Sequence, residues 1–245
     1  MNGSARRVSV VTGGASGIGA ACVRELADAG DLVVVADRDI AKAQAVAAEF
    51  GGRAYAVDVG DEQGVEACAA AIERECGPVD VLVNSAGIIQ VPVRPHDLPM
   101  TAWDDVVRVD QRGTYVACVA FARGMIARRR GSIVNIASIA GMRSMPLHAY
   151  APAKAAVIAI TECLAAEWGP CAVRVNAVSP GVIDTPIRAA MPEEARRDML
   201  AKTAAALPVG RVGAAEDIAR QILSFMANGF ATGSIVYIDG GALVI

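Results

Sequence analysis

The chain has 245 residues, 54% apolar, 4% aromatic and 20% charged, a length that fits a single α/β domain with ample material for a core. Its 23 basic and 26 acidic residues give a net charge of -3, which leaves no broad cationic field for nucleic acid, and no apolar run reaches the ~18 residues of a membrane span. The polar lead over residues 1–7 leaves no room for a signal peptide, and six cysteines without Cys-x-x-Cys spacing, beside two histidines, point to reduced cytoplasmic thiols and no metal site.

Residues 8–11 read as a short buried strand that enters Thr12-Gly-Gly-Ala-Ser-Gly-Ile-Gly19 and then a helix to about residue 29, stopped by Gly30. Strand, glycine loop and helix in that order form the context of a dinucleotide site. Gly13 and Gly17 permit a tight turn, Gly19 lets helix and strand approach, and the helix N-terminus offers free N–H groups to a pyrophosphate. A glycine-rich turn used only for packing would read the same way. The next strand, over residues 32–36, favours the binding reading because it ends at Asp37. An acidic residue about 20 positions after the loop is placed to accept the adenosine ribose hydroxyls. A carboxylate there repels a 2′-phosphate, so NAD is the expected cofactor.

Residues 41–50 form a helix stopped by Gly51-Gly52, residues 53–57 a third strand ending at Asp58, and residues 61–76 a helix closed by Gly77-Pro78. A fourth strand over 79–83 finishes in Asn84-Ser-Ala-Gly87, a small-residue turn that either faces a ligand across the sheet edge or only turns the chain. After an irregular loop over 88–100, a long helix is expected over 101–128, broken in mid-course by Gly113. Arg128, Arg129 and Arg130 would oppose the negative dipole end of that helix. Residues 131–136 are a fifth strand leading to Ser138.

The helix expected over 149–167 carries Tyr150 and Lys154 on one face, one turn apart. An ammonium beside a phenol favours the phenolate, so a group that normally titrates near pH ~10 exchanges protons closer to neutrality. Ser138 is placed to hydrogen-bond the same oxygen. A surface Tyr–Lys pair without chemistry would show the same spacing. A sixth strand over 173–178 is left through Ser179-Pro-Gly-Val-Ile-Asp-Thr185, and the charged, proline-containing stretch over 182–211 suits a lid better than a plain connector. A helix over 216–226 and a strand over 234–238, ending in Asp239-Gly-Gly241, complete the alternation. The expected architecture is α/β, a doubly wound parallel sheet of about seven strands flanked by helices, in one domain spanning 1–245.

In this order and spacing, Thr12-Gly-x-x-x-Gly-x-Gly19, Asp58-Val59, Asn84-x-Ala-Gly87, Ser138, Tyr150-x-x-x-Lys154, Pro180-Gly181 and Asp239-Gly-Gly241 resemble the short-chain dehydrogenase/reductases from end to end. The resemblance implies a Rossmann-type, NAD(P)-binding subunit that assembles into a homotetramer through its long helices and C-terminal strand. Tyr150 would then be the acid/base, Ser138 would hold the substrate oxygen, and Lys154 would bond the nicotinamide ribose. Gly13, Ser16, Gly17, Ile18 and Gly19 would cradle the cofactor beside Asp37. Asp58 and Val59 would frame the adenine, Asn84, Ala86 and Gly87 would line the ribose path, and Pro180, Gly181, Val182 and Thr185 would seat the nicotinamide. Where the family has a fourth catalytic residue, an Asn, this chain has Asp110, which either joins the proton relay behind Lys154 or caps backbone N–H groups near Gly113.

The implied reaction is NAD-dependent interconversion of a secondary alcohol and a ketone. The leaning is to a small polyol or sugar, in a mostly apolar pocket with Gln90, Arg143 and His148 as polar contacts. A 3-oxoacyl-thioester reductase and a non-catalytic NAD(H)-binding relative are the alternatives.

Overall fold

Seven parallel strands form one sheet in the order β3-β2-β1-β4-β5-β6-β7. The computed structural model describes residues 6–245, so most of the polar lead, residues 1–5, lies outside it. The strands are β1 (Val8–Thr12), β2 (Leu32–Asp37), β3 (Arg53–Ala56), β4 (Val79–Asn84), β5 (Gly131–Ile136), β6 (Val173–Pro180) and β7 (Ile235–Ile238). The helices are α1 (Gly17–Asp28), α2 (Ile40–Glu49), α3 (Glu62–Cys76), α4 (Met100–Val106), α5 (Thr114–Arg128), α6 (Tyr150–Trp168), α7 (Glu193–Ala206) and α8 (Ala215–Ala227).

Successive strand residues point to opposite faces, and here both faces are covered. Val10 and Val34 pack with Phe121, Met125 and Leu164 on one side, whereas Val11, Val33 and Val35 pack with Leu26, Ile222 and Phe225 on the other. That is why the strands read as unbroken Val/Ile/Leu runs instead of alternating ones. Each such side chain contributes roughly 1.5–3 kcal/mol when fully buried.

The strand order also locates the site. From β1 the chain moves outward through β2 and β3, then returns to pair β4 with the other edge of β1. At such a reversal the loops leaving the two carboxyl ends part to opposite faces and open a crevice. Thr12 and Asn84 are register partners, so the loops after β1 and β4 leave side by side. Beneath the crevice, Asn84 Nδ2 donates to Asn135 Oδ1 at 2.9 Å and Asn135 Nδ2 donates to Thr161 Oγ1 at 3.0 Å. These buried amides tie β4, β5 and α6 together with their polarity satisfied.

Two expectations change. The long helix over 101–128 is three segments, because a π-helical stretch, Val107–Gly113, separates α4 from α5. The irregularity ends at Gly113, and that glycine also answers a packing demand: a Cβ there would lie 2.8 Å from Val59 Cγ2. The segment over 182–211 holds a helix of its own, α7, which buries no residue and so carries no apolar stripe to announce it. The arginine cluster behaves as a helix end. Arg128 donates to the Val79 carbonyl at 2.7 Å, Arg129 donates to the Pro170 carbonyl at 2.8 Å, and Arg130 pairs with Asp80 at 3.2 Å.

Candidate active site

The loop between β1 and α1 is shaped by what its glycines lack. Gly13 has φ +64°, and a Cβ on it would lie 2.6 Å from the Ala86 Cα, inside the turn after β4. A Cβ on Gly19 would collide with the Gly13 carbonyl, so the first turn of α1 leans directly on the loop. Asp37 closes the adjoining rim. Its Oδ2 accepts the Ala15 N–H at 3.1 Å and its Oδ1 accepts the Asp39 N–H at 3.0 Å, which fixes the carboxylate against the glycine loop.

From this rim a cavity of about 440 Å³ runs along the carboxyl ends of the strands to Ser138, Tyr150 and Lys154. Tyr150 opens α6, and its backbone N–H is capped by Gln90 Oε1 at 2.9 Å. Lys154 Nζ donates to the Ile136 carbonyl at 3.0 Å, approaches Asp110 Oδ2 to 3.1 Å, and lies 5.5 Å from the centre of the Tyr150 ring. Ser138 Oγ accepts the Ala140 N–H at 3.1 Å, and its hydroxyl acts on the Tyr150 phenol so as to lower its pKa.

Burial dominates the electrostatics. It pushes the Tyr150 phenol above its ordinary value; Lys154, the Ser138 hydroxyl and Arg188 pull it back, and Asp110 pushes it further up. The lowering expected from Lys154 is therefore present but outweighed, because the phenol is sequestered from water. Burial would also strip the proton from Lys154, yet the Asp110 carboxylate and Tyr150 beside it hold the ammonium above its ordinary value. Asp110 itself is raised by burial, against the pull of Lys154 and the Ile88 N–H.

Of the residues singled out in the sequence, Gly13, Ser16, Gly17, Ile18, Asp37, Asp58, Val59, Ala86, Gly87, Pro180, Gly181, Val182 and Thr185 line the cavity together with Ser138, Tyr150 and Lys154. Three stand behind its wall. Gly19 lies under the loop, Asn84 turns its side chain into the core, and Asp110 sits behind Gly87. Asn84 therefore lies beneath the cavity without lining it. The three polar pocket contacts are corrected as well, since none is in the wall: Gln90 is spent on capping α6, Arg143 donates to the Ala242 carbonyl at 2.8 Å, and His148 lies outside the lining. The sequence reading missed Leu147 and Arg188, which line the cavity together with Arg38. Arg38 adjoins Asp37 and was within reach of the motif; Arg188, in the short turn Pro186–Arg188, has no local signal and arrives only through the path of the chain after β6.

A family model described as enoyl-(acyl carrier protein) reductase matches residues 13–242. The chain is 39% identical over 244 residues to galactitol 2-dehydrogenase of Rhizobium johnstonii, covering 95% of this chain and 93% of the relative. It is 40% identical over 247 residues to cis-4-hydroxycyclohexanecarboxylate dehydrogenase of Sinomonas cyclohexanicum, covering 97% and 96%. A solved structure described as ribose-5-phosphate isomerase from Brucella melitensis superimposes with a TM-score of 0.93 at 45% identity, over 98% of this chain and 94% of that one. ElxO with NADP bound superimposes with a TM-score of 0.91 at 28% identity, over 98% and 100%. With matching of this extent on a seven-stranded Rossmann-type sheet, the chain belongs to the short-chain dehydrogenase/reductase family.

Proposed function

We propose that the protein is an NAD-dependent oxidoreductase that interconverts a secondary alcohol and a ketone, with a small polyol or sugar as substrate. One observation carries the reading: a single cavity joins the glycine loop and Asp37 at one end to Ser138, Tyr150 and Lys154 at the other. The loop fits a dinucleotide, because Gly13, Ser16, Gly17 and Ile18 line the cavity where α1 begins, and the start of that helix, which no side chain caps, offers free N–H groups to a pyrophosphate. Bound there, a nicotinamide cofactor would supply or accept the hydride. Tyr150 gives its phenolic proton to the substrate oxygen in reduction and takes one back in oxidation, while the Ser138 hydroxyl holds that oxygen in place. Lys154 steadies the phenolate that forms and is the side chain expected to reach the cofactor ribose.

Asp37 supports NAD. A 2′-phosphate ~4 Å from this carboxylate would be repelled by about 4 kcal/mol per charge pair at an effective dielectric near 20. Arg38 beside it could offset part of that repulsion, and ElxO carries NADP, so the preference is to be tested directly. Asp58 and Val59 fit the adenine end, and Pro180, Gly181, Val182 and Thr185 fit the nicotinamide end. The stretch over 182–211 acts as the lid over a single binding domain. Six free cysteines suit a reducing compartment such as the cytoplasm, and no helix among the described residues is long and apolar enough to cross a membrane.

The galactitol dehydrogenase relative supports the polyol. Arg188 favours a second reading. It lines the cavity, its charge is felt at Tyr150, and it enters no ion pair among the described residues, which suits an alcohol that also carries a carboxylate, as in the name of the cyclohexanecarboxylate relative. The test is a spectrophotometric screen of polyols, hydroxycycloalkane carboxylates and 3-oxoacyl thioesters, each with NAD(H) and NADP(H). Polyol oxidation at least tenfold more efficient with NAD is the expected result. Turnover of thioesters alone would move the assignment to acyl reduction. NADH binding with no turnover on any arm would assign a non-catalytic binder.

A further inference from the structure

Asp110 is fully buried, and the π-helical stretch that carries it turns its carboxylate toward the back of the active site. Oδ1 accepts the Ile88 N–H at 2.8 Å, which fixes the carboxylate to the segment after β4. The backbone carbonyl of Asp110 accepts the Thr114 hydroxyl at 2.7 Å, which fixes the helix beneath it. Oδ2 approaches Lys154 Nζ to 3.1 Å without meeting hydrogen-bond direction, so the contact is that of two charges. Gly87 stands between the Asp110 carboxylate and the cavity: a Cβ on it would lie 3.1 Å from Asp110 Oδ2 and 3.5 Å from Lys154 Nζ.

The charged and polar side chains around the centre form a short set. Tyr150 is faced by Lys154 from its own helix, Asp110 from the π-helical stretch, Ser138 from the loop after β5 and Arg188 from the turn after β6. Lys154 is faced by Asp110, Tyr150 and the Ile136 carbonyl, and no second carboxylate pairs with it among the described residues. An ammonium alone would act on the phenol as a single positive charge. With a carboxylate at 3.1 Å on Lys154, the phenol meets a dipole, whose effect falls off faster with distance.

We propose that Asp110 is a positioning residue that fixes the Lys154 ammonium behind Tyr150 and cancels much of its field there, so that Tyr150 keeps its proton through neutral pH and the site is set to protonate a carbonyl oxygen. This rests on the reading of Tyr150 as the acid/base. The consequence is a division by pH. Ketone reduction runs well at neutrality because the donor is protonated, and alcohol oxidation rises only on the alkaline side, where Tyr150 gives its proton up.

Asp110→Asn keeps the shape and the Ile88 contact but removes the negative charge. Two profiles are compared with wild type: the pH dependence of alcohol oxidation, and the ultraviolet difference titration of phenolate in the protein without cofactor, with Tyr150→Phe identifying which of the four tyrosines is read. The expected result is an acidic limb of oxidation, and a Tyr150 phenolate signal, both displaced at least one pH unit downward in Asp110→Asn, which is a tenfold change in proton affinity. Superimposable profiles with only a lower Tm would make Asp110 a structural residue and overturn the proposal, as would an upward displacement. The wild-type titration decides independently of how well the variant folds: a Tyr150 phenolate forming well below the ordinary pH of ~10 contradicts the proposal. Full activity of Tyr150→Phe would instead overturn the acid/base reading on which it stands.

Discussion

Asp37, Tyr150 and Lys154 were legible in the sequence because each falls at a fixed short distance from a glycine loop or from one another, and short distances survive folding. Gln90 was not. Its role is to cap the N–H of Tyr150, sixty residues away, and nothing local tells a cap from a pocket residue. The same holds for Asp110, whose identity was readable but whose direct contact with Lys154 was not. Replacing Asp37 by Ser removes the charge facing a 2′-phosphate and keeps a hydrogen-bonding side chain. The ratio of kcat/KM for NAD over NADP should fall at least tenfold in Asp37→Ser, and an unchanged ratio would refute the role given to this carboxylate. Lys154 carries a pH prediction of its own. Because its folded-state value is raised, its stabilising contribution is complete below the unfolded value of ~10.4 and is lost as the pH rises through the folded one. Wild type should therefore lose Tm in the alkaline range more steeply than Lys154→Met, measured by calorimetry across pH.

Strands and their flanking helices were readable wherever both periodicity and punctuation were present. The run from β1 to β4 is bounded by Gly30, Gly51-Gly52 and Gly77-Pro78, and its observed bounds fall within a residue or so of the expected ones. The π-helical stretch was hidden because one extra residue in a helical turn leaves the apolar pattern almost intact. Helix α7 was hidden for the opposite reason, since an exposed helix has no face to mark. The glycine loop offers the sharpest test at this level. Gly13→Ala combines a left-handed backbone, unfavourable to alanine, with a Cβ 2.6 Å from the Ala86 Cα. The two loops cannot then stay in contact, and NADH affinity should drop at least tenfold in a fluorescence titration, with a lower Tm. Retained affinity would mean that the loop does not contact the cofactor.

The chain as a whole leaves apolar surface uncovered. Phe230 is 99% exposed and Val244 84%, Ile245 follows at the C-terminus, and the outer face of α6 presents Ala159, Cys163 and Ala166 to solvent. Such a face on a long helix, beside an apolar C-terminus, suits the homotetramer that the family resemblance implies. Light scattering should give a mass about four times that of the chain, and charged replacements at Val244 and Ile245 should reduce it; a monomeric wild type would refute the assembly. The parallel sheet was implicit in the alternation of strands and helices, whereas its strand order and the meeting of the β1 and β4 loops followed only from the observed pairing, with Thr12 in register with Asn84.

The central claim is that Tyr150 moves the proton in a cavity whose cofactor end is built separately. Turnover and NADH binding measured side by side on wild type and Tyr150→Phe test it most directly. Turnover should fall by at least the ~10²–10⁴-fold typical of lost acid/base catalysis while NADH affinity stays within a few-fold of wild type. A Tyr150→Phe variant that keeps most of its turnover would contradict the account.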